Sequence, residues 1–166
     1  MNKINDRAAM IEAAAAKMGK KTFIDDLKKV GTPRLEYQKT CSKVVTLEEA
    51  IRQSGLKDGM TISFHHHFRG GDKVVNMVVA KLAEMGFKNL HIAASSLQDV
   101  HKPLIEHIRN GVVNRLSTSG LRGELANEIS HGLMDEPVVF RSHGDRASAI
   151  KRGDLHIDVA FLGASS

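Results

Sequence analysis

The sequence predicts an α/β fold with a mostly parallel open sheet covered by helices. From residue 60 onward, short apolar runs with the period of a strand alternate with stretches that have apolar residues at helical spacing. The intervening stretches are long enough for the crossover connections that parallel strands require. A chain of 166 residues with 42% hydrophobic content is long enough for one hydrophobic core but too short for two domains of ordinary size. We therefore expect one α/β domain preceded by a leader.

The first elements of the domain have clear boundary signals. Thr46 and Glu49 have the spacing of a capping box, which opens a short helix that Gly55 ends. The first strand is predicted at residues 60–64, where apolar and hydroxyl side chains alternate. A helix beginning near Lys73 follows. Its apolar residues recur at helical spacing, with Asp72 placed to cap the first turn and Gly86 to end the last: Val75, Val78, Val79, Leu82 and Met85.

The remaining elements continue the alternation. Strands are predicted at residues 90–94, 112–117, 138–141 and 157–162. Helices are predicted to begin near Pro103, Arg122 and Asp145. Since each helix connects two strands, the strands should run parallel and have helices on both faces of the sheet.

The net positive charge of the chain comes entirely from the leader, residues 1–43. This segment has ten Lys or Arg against five Asp or Glu, whereas residues 44–166 have fourteen of each. Its acidic residues argue against a transit peptide, and its apolar spacing predicts one or two amphipathic helices. No stretch approaches the length of a membrane span, and the absence of Trp disfavours base stacking. We expect a helical arm that packs on the protein surface or binds a partner protein, rather than one that contacts nucleic acid or a membrane.

The single cysteine, Cys41, cannot form a disulfide within the chain. Nearby lysines alone do not indicate a reactive thiol. The cysteine usage fits a reducing, cytoplasmic location.

The segment after the first predicted strand is the main candidate for ligand binding. It contains imidazole, guanidinium and glycine groups between a strand and a helix, at His65, His66, His67, Arg69, Gly70 and Gly71. Close backbone approach at glycine, free amides of the helix and a cation together predict a carboxylate or phosphate site. A Gly-Gly pair can also serve only a tight turn. Three histidines could bind a metal, but the distant ligand of a zinc site is not found.

The segments after the other strands share this composition. In an open α/β sheet, ligands bind outside the carboxyl ends of the strands, so these segments should lie along one edge. They contribute small polar residues, glycine and histidine: Ser95, Ser96, Ser119, Gly120, His143 and Gly144. The connections at the opposite edge are ordinary charged turns. We read the other five histidines as packing, capping or surface residues: His91, His101, His107, His131 and His156.

Several long motifs in order resemble the N-terminal part of the citrate lyase alpha subunit, a citrate CoA-transferase. They are residues 47–52 (LEEAIR), 63–66 and 68–72 (SFHH and FRGGD), 106–113 (EHIRNGVV), 118–123 (TSGLRG) and 157–163 (IDVAFLG). His67 departs from the small residue expected there, which weakens an argument built on all three imidazoles. The resemblance covers nearly the whole domain of residues 44–166.

The resemblance implies a CoA-transferase-like fold of the NagB/RpiA/CoA-transferase superfamily. It also implies exchange of the acetyl group on an acyl-carrier-protein thioester for citrate, giving a citryl thioester that is cleaved to oxaloacetate and acetyl thioester. The partners implied are citrate, the acyl-carrier gamma subunit and the beta subunit in a hetero-oligomer. No cofactor is expected to bind directly, because the phosphoribosyl-dephospho-CoA group is carried by the gamma subunit.

Members of this family are about three times as long, so the domain is expected to be truncated at its C-terminal end. A catalytic carboxylate is expected outside this chain, and the chain alone is expected to have no transferase turnover. Two alternatives stay open from the residues themselves. One is a non-catalytic domain that binds a carboxylate or a phosphosugar, and the other is a metal-dependent hydrolase centred on His65, His66 and His67.

Overall fold

A computed structural model describes residues 3–19, 44–65 and 73–163. Its contacts divide the chain into two compact units, Met1–Lys43 and Val44–Ser166. The first unit contains helix α1 (Lys3–Lys17), whose residues Met10 and Met18 are exposed. The rest of the predicted leader helices, including Phe23 and Val30, lies outside the described residues.

The second unit begins with helix α2 (Leu47–Gln53), and the predicted cap at Thr46 is confirmed. Thr46 Oγ1 accepts a hydrogen bond of 3.2 Å from the Glu49 amide, which satisfies one of the free donors of the first turn. Gly55 follows the end of the helix with a φ of +72°, a conformation that favours glycine. Ile51 anchors this helix in the core, where it is fully buried.

The described residues form a sheet of five parallel strands, which confirms the predicted fold class. They are β1 (Thr61–His65), β2 (Leu90–Ala94), β3 (Val113–Thr118), β4 (Val139–Phe140) and β5 (Val159–Leu162), in the order β4-β3-β2-β1-β5. Strand β5 begins two residues later than predicted. Asp158, just before it, accepts from the Thr61 amide through Oδ2 at 2.8 Å and donates its own amide to the Thr61 carbonyl at 3.0 Å.

In the described part of the chain four helices connect the strands, and one of their predicted starts, that of the last helix, needs correction. They are α3 (Val74–Glu84), α4 (Leu104–Arg109), α5 (Gly123–Ser130) and α6 (His143–Arg152), with a 3-10 helix at Asp99–His101 before α4. The residue before α3 is Lys73, which makes no side-chain cap, and Asp72 lies outside the described residues. Helix α6 starts two residues before Asp145, because the hydroxyl of Ser142 accepts from the Asp145 amide at 3.1 Å.

The helices cover the two faces of the sheet unequally. Apolar residues of β1 to β3 pack with α2, α3, α4 and α5 in one continuous core. Helix α6 packs on the other face through a small cluster of Ala93, Ala149 and Leu155. Strands β1 to β4 are added to the sheet in one direction, whereas β5 is added on the other side of β1. Because crossover connections are right-handed, this change places α6 on the opposite face of the sheet from α3, α4 and α5.

Pairing of β1 with β5 is reinforced by two aromatic rings. Phe64 and Phe161 are register partners, and their rings stack with centroids 5.7 Å apart and planes 20° apart. Such a pair contributes about 0.5–1.5 kcal/mol beyond its buried area. The contact fixes β5 beside the end of β1. Among the described helices none is both long and apolar enough to cross a bilayer.

Candidate functional site at the carboxyl edge of the sheet

The strand order locates the site before any side chain is considered. Strand β1 has β2 on one side and β5 on the other, so the direction in which the chain builds the sheet reverses at β1. Ligands of open α/β sheets bind outside the carboxyl ends of the strands at such a reversal. His65 is the last residue of β1 and therefore lies at this point.

A cavity of about 210 Å³ lies at this edge. It is lined by His65, Ser95, His143, Arg146, Ala147 and Ile150. Three of these residues, His65, Ser95 and His143, are candidates that the sequence analysis selected from three separate segments. The fold brings them together because β1 and β2 end at this edge and α6 begins there.

Arg146 is a site residue that the sequence analysis missed. Its Nη2 donates to Ser63 Oγ at 2.8 Å and to the Ala93 carbonyl at 3.0 Å, so the guanidinium is held against the sheet. Burial lowers the pKa of Arg146. The available signal was spacing, because residues 143, 146, 147 and 150 share one face of a helix once the helix begins at His143.

The loops after β2 and β3 form a ledge beside the cavity, defined by Ser95, Ser96, Ser119 and Gly120. Ser95 donates its amide to the Phe64 carbonyl at 3.2 Å, and Ser119 donates its amide to the Ser95 carbonyl at 3.3 Å. A Cβ atom at Gly120 would lie 3.7 Å from Ser96 Oγ, which is ordinary contact. The Ser119 hydroxyl is buried and has no hydrogen-bond partner in the described part of the chain.

The other predicted site residues have different outcomes. His143 and Gly144 were expected in a loop, which is wrong, because the cap at Ser142 draws both into the first turn of α6. Gly144 does not line the cavity, and a Cβ atom there would meet nothing within 4 Å. Five candidates lie outside the described residues: His66, His67, Arg69, Gly70 and Gly71.

The described residues contain no group of three or more His, Cys, Asp or Glu side chains arranged to hold a metal ion. The metal hypothesis depends on the histidine triplet, of which only His65 belongs to the described segments. It stays an untested prediction.

The remaining histidines have structural contacts. His101 is buried and its Nδ1 is 2.9 Å from the Gln98 amide, which it caps. His131 Nδ1 lies 2.8 Å from the Asn127 carbonyl oxygen at the end of α5, and the exposed His156 lies 3.2 Å from Asp158. His107 is half-buried, and burial lowers its pKa. None of these residues lines the cavity at the carboxyl edge.

A second cavity of about 240 Å³ lies on the α6 face of the sheet. Its charged and polar lining residues are His91, Arg115, Ser117, Glu136, Arg141 and Asp154. Two of these charged residues already form ion pairs. Arg141 lies 3.3 Å from Asp145, and Asp154 lies 2.8 Å from Arg152. Because positive and negative side chains alternate here, this cavity has less reason to bind an anion than the one beside His65.

His91 is held in the sheet by hydrogen bonds on both ring nitrogens. Nδ1 is 3.2 Å from Thr61 Oγ1, and Nε2 is 2.8 Å from Ser117 Oγ. Burial of the ring, with smaller contributions from Arg115 and Arg146, lowers the pKa of His91 to about 4. The imidazole is therefore neutral at neutral pH and links three strands.

This pKa predicts a pH dependence of stability. Between pH 6.5 and about 4 the unfolded chain binds a proton at His91 that the folded protein does not, so the free energy of unfolding falls as the pH is lowered. We expect a loss of about 1–2 kcal/mol, allowing for solvent screening at a partly exposed ring. Urea unfolding at pH 7 and pH 4.5 measures it.

The matched variant for this measurement is His91→Gln, which keeps a hydrogen-bonding group but cannot titrate. The stability of that variant should fall less over the same pH range, since only the other groups, among them His107, still titrate. Equal pH dependence in both proteins would contradict the role given to His91.

The chemistry available at the carboxyl-edge cavity is donation to negatively charged oxygen. Two imidazoles, one hydroxyl and one guanidinium surround it, and the described lining includes no carboxylate. Such groups neutralise carboxylates and stabilise charge on an acyl oxygen. The site as described is suited to binding and polarising an anionic or acyl substrate.

Comparison with known families gives a direct match. The family model for "Citrate lyase, alpha subunit (CitF)" matches residues 39–166. The citrate lyase alpha chain of Klebsiella pneumoniae is 69% identical over 118 residues, covering 71% of this chain and 23% of that protein. The corresponding chain of Escherichia coli K12 is 59% identical over 142 residues, covering 81% of this chain and 27% of that one.

A solved structure shares the fold. It comes from Streptococcus mutans and is described as an alpha subunit of citrate lyase in complex with citrate. It aligns with a TM-score of 0.71 at 58% sequence identity, covering 73% of this chain and 24% of that one. The chain thus spans about a quarter of the length of the relatives that it matches.

Proposed function

The chain belongs to the citrate lyase alpha-subunit family, and we propose that it supplies the N-terminal part of a citrate CoA-transferase acting in the cytoplasm. In the proposed reaction the thiol of the acyl carrier protein is transferred from an acetyl group to a carboxylate of citrate. The products are acetate, released as the displaced acid, and a citryl thioester, which is then cleaved to oxaloacetate and acetyl thioester. The activity belongs to a longer protein of which this chain covers about a quarter.

The observation that carries the proposal is the cavity beside His65. It lies where the strand order reverses, and its polar lining consists of His65, Ser95, His143 and Arg146. A citrate carboxylate needs cationic and hydrogen-bond-donating groups to replace its water. The related Streptococcus mutans protein is described in complex with citrate, which supports citrate as the ligand here.

The proposed partners follow from the same family. They are citrate, an acyl-carrier gamma subunit and a beta subunit in a hetero-oligomer. The phosphoribosyl-dephospho-CoA group is proposed to arrive on the gamma subunit as part of the substrate and not as a cofactor resident in this chain. The catalytic carboxylate is proposed to lie outside residues 1–166.

A non-catalytic carboxylate-binding domain is the second candidate. The observation in its favour is the lining of the cavity, which includes no carboxylate among the described residues that could act as a nucleophile. It predicts citrate binding without acyl exchange, even when the rest of an alpha subunit is attached.

The deciding assay measures transfer of isotopically labelled citrate onto an acetylated gamma subunit. Three proteins are compared: this chain, a full-length related alpha chain, and a chimera that joins this chain to the downstream part of that relative. We expect exchange by the relative and the chimera but none by this chain alone. Succinate in place of citrate is the substrate control.

The outcomes separate the two candidates. A folded chimera that binds citrate without exchanging the acyl group would contradict the transferase proposal and favour the binding domain. Appreciable exchange by this chain alone would contradict the assignment of the catalytic carboxylate to another part of the protein.

A further inference from the structure

We propose that Arg146 binds a carboxylate group of the substrate directly and is the residue that selects an anionic ligand for the carboxyl-edge cavity. The identity of that ligand as citrate rests on the proposed function. The requirement for an anion rests on the geometry of Arg146 alone.

The positive charge of Arg146 is not balanced by a carboxylate of the described segments. Arg146 is half-buried, and both acceptors of its side-chain hydrogen bonds are neutral, the Ser63 hydroxyl and the Ala93 carbonyl. No Asp or Glu of the described segments lies within ion-pair distance of it. The neighbouring carboxylate, Asp145, is paired instead with Arg141 at 3.3 Å and Arg152 at 3.4 Å. A half-buried guanidinium without a counterion favours an anion in the adjoining space.

The sheet holds the side chain of Arg146 in a fixed position. Ser63 of β1 and Ala93 of β2 are register partners in the sheet, so the guanidinium bridges two neighbouring strands at one level. Ser63 is 8% exposed and Ala93 is fully buried, so both acceptors sit in the rigid part of the fold. A long flexible side chain is thereby fixed before any ligand arrives, which lowers the entropy that binding would cost.

The sheet does not use all the donors of Arg146. Both hydrogen bonds to the sheet use Nη2, and among the described residues Nη1 and Nε make none. An arginine has five donors, so three are left for other partners. Since Nη2 is occupied, a carboxylate would be bound through Nη1 or Nε rather than by the two-pronged contact that uses both terminal nitrogens.

Arg146 lies among the other polar residues of the carboxyl-edge cavity. Arg146 lines the same cavity as His65 and His143. The imidazoles can donate to further oxygens of the ligand, and the guanidinium carries a permanent positive charge. Arg146 therefore supplies the permanent charge and the histidines supply additional hydrogen bonds.

The test is isothermal titration calorimetry of this chain with citrate, tricarballylate and malonate. Arg146→Gln should weaken citrate binding about tenfold or more, as expected for loss of a charged hydrogen bond. Arg152→Gln is the matched control. It removes the same charge from the same helix at a position outside the cavity, and it should bind citrate as the unaltered chain does.

A second measurement needs no variant. The side-chain Nε–H signals of arginine in an ¹⁵N NMR spectrum should respond to citrate at Arg146 and not at Arg152. If Arg146→Gln fails to fold, this spectrum decides the proposal, and an unmoved Arg146 signal under saturating citrate would overturn it.

The outcomes distinguish this proposal from the proposed function. Citrate binding that Arg146→Gln leaves unchanged would overturn the role of Arg146 but not the citrate function. Equal binding of all three acids, weakened alike in Arg146→Gln, would support Arg146 and contradict a site made for citrate. Failure of the unaltered chain to bind any of the three acids would overturn the proposal.

Discussion

Replacement of Ala147 by leucine should raise the dissociation constant for citrate by about tenfold to a hundredfold while the chain stays folded. Ala147 lines the cavity of about 210 Å³ between His143 and Ile150 on α6. An isobutyl group in place of its methyl occupies the space that a ligand needs but removes no hydrogen bond. Titration calorimetry measures the change in affinity, and thermal unfolding shows that the fold is retained.

The control for this prediction is Ser148→Leu. Ser148 is the next residue of α6, is exposed and does not line the cavity. Its loss removes only the acceptor of a hydrogen bond from Arg152. Both variants add the same apolar group to the same helix, so only Ala147→Leu should weaken binding. Equal affinity in the two variants would mean that citrate binds elsewhere.

Replacement of Gly123 by alanine should destabilise the chain by about 3 kcal/mol or more. Gly123 has a φ of +74°, and a Cβ atom there would lie 2.8 Å from the Cα of Asp99 and 2.5 Å from its Oδ1. Backbone cannot move aside as a flexible side chain can. The same Asp99 oxygen accepts from the Glu124 amide at 3.3 Å and so caps α5, which the clash would also disturb. Urea unfolding at neutral pH measures the loss.

Gly132→Ala isolates the clash from the backbone strain. Gly132 has a φ of +90°, but a Cβ atom there would meet nothing within 4 Å. Its substitution should therefore cost only about 1–2 kcal/mol. If both variants lost the same stability, the close approach of Gly123 to Asp99 would have no energetic consequence.

The order and type of the main elements were predictable because local patterns and tertiary packing agree. Strand β2 matches its predicted bounds, since it lies in the middle of the sheet and its apolar run is buried on both faces. Strand β4 shrinks from four predicted residues to two. It pairs with only one neighbour, β3, so fewer hydrogen bonds extend it.

The site was only partly predictable. His65 and Ser95 could be predicted because they lie where β1 and β2 end, and parallel strands bring such ends to one edge of the sheet. Arg146 was missed because it lies on a helix rich in charge, whose sequence is typical of a solvent-exposed face. Its role depends on acceptors at Ser63 and Ala93, which are 83 and 53 residues away along the chain. No local pattern carries that information.

The arrangement explains why small polar residues recur on the α6 face of the sheet. Thr61, Ser63 and Ser117 are buried there and bond to His91 or Arg146 rather than to one another. Replacing them by apolar residues would leave both ring nitrogens of His91 without partners and would leave Arg146 only the Ala93 carbonyl. The polar face of the sheet therefore holds His91, which lines the cavity of about 240 Å³, and Arg146, which lines the cavity of about 210 Å³.

Citrate is proposed to bind in the cavity at the carboxyl edge of the sheet. The most direct measurement is a crystal structure of this chain grown with citrate. We predict citrate density within hydrogen-bond distance of Arg146 and of at least one of His65, Ser95 and His143. Citrate bound in the cavity beside His91 and Arg115, or no density at the carboxyl edge under saturating citrate, would contradict it.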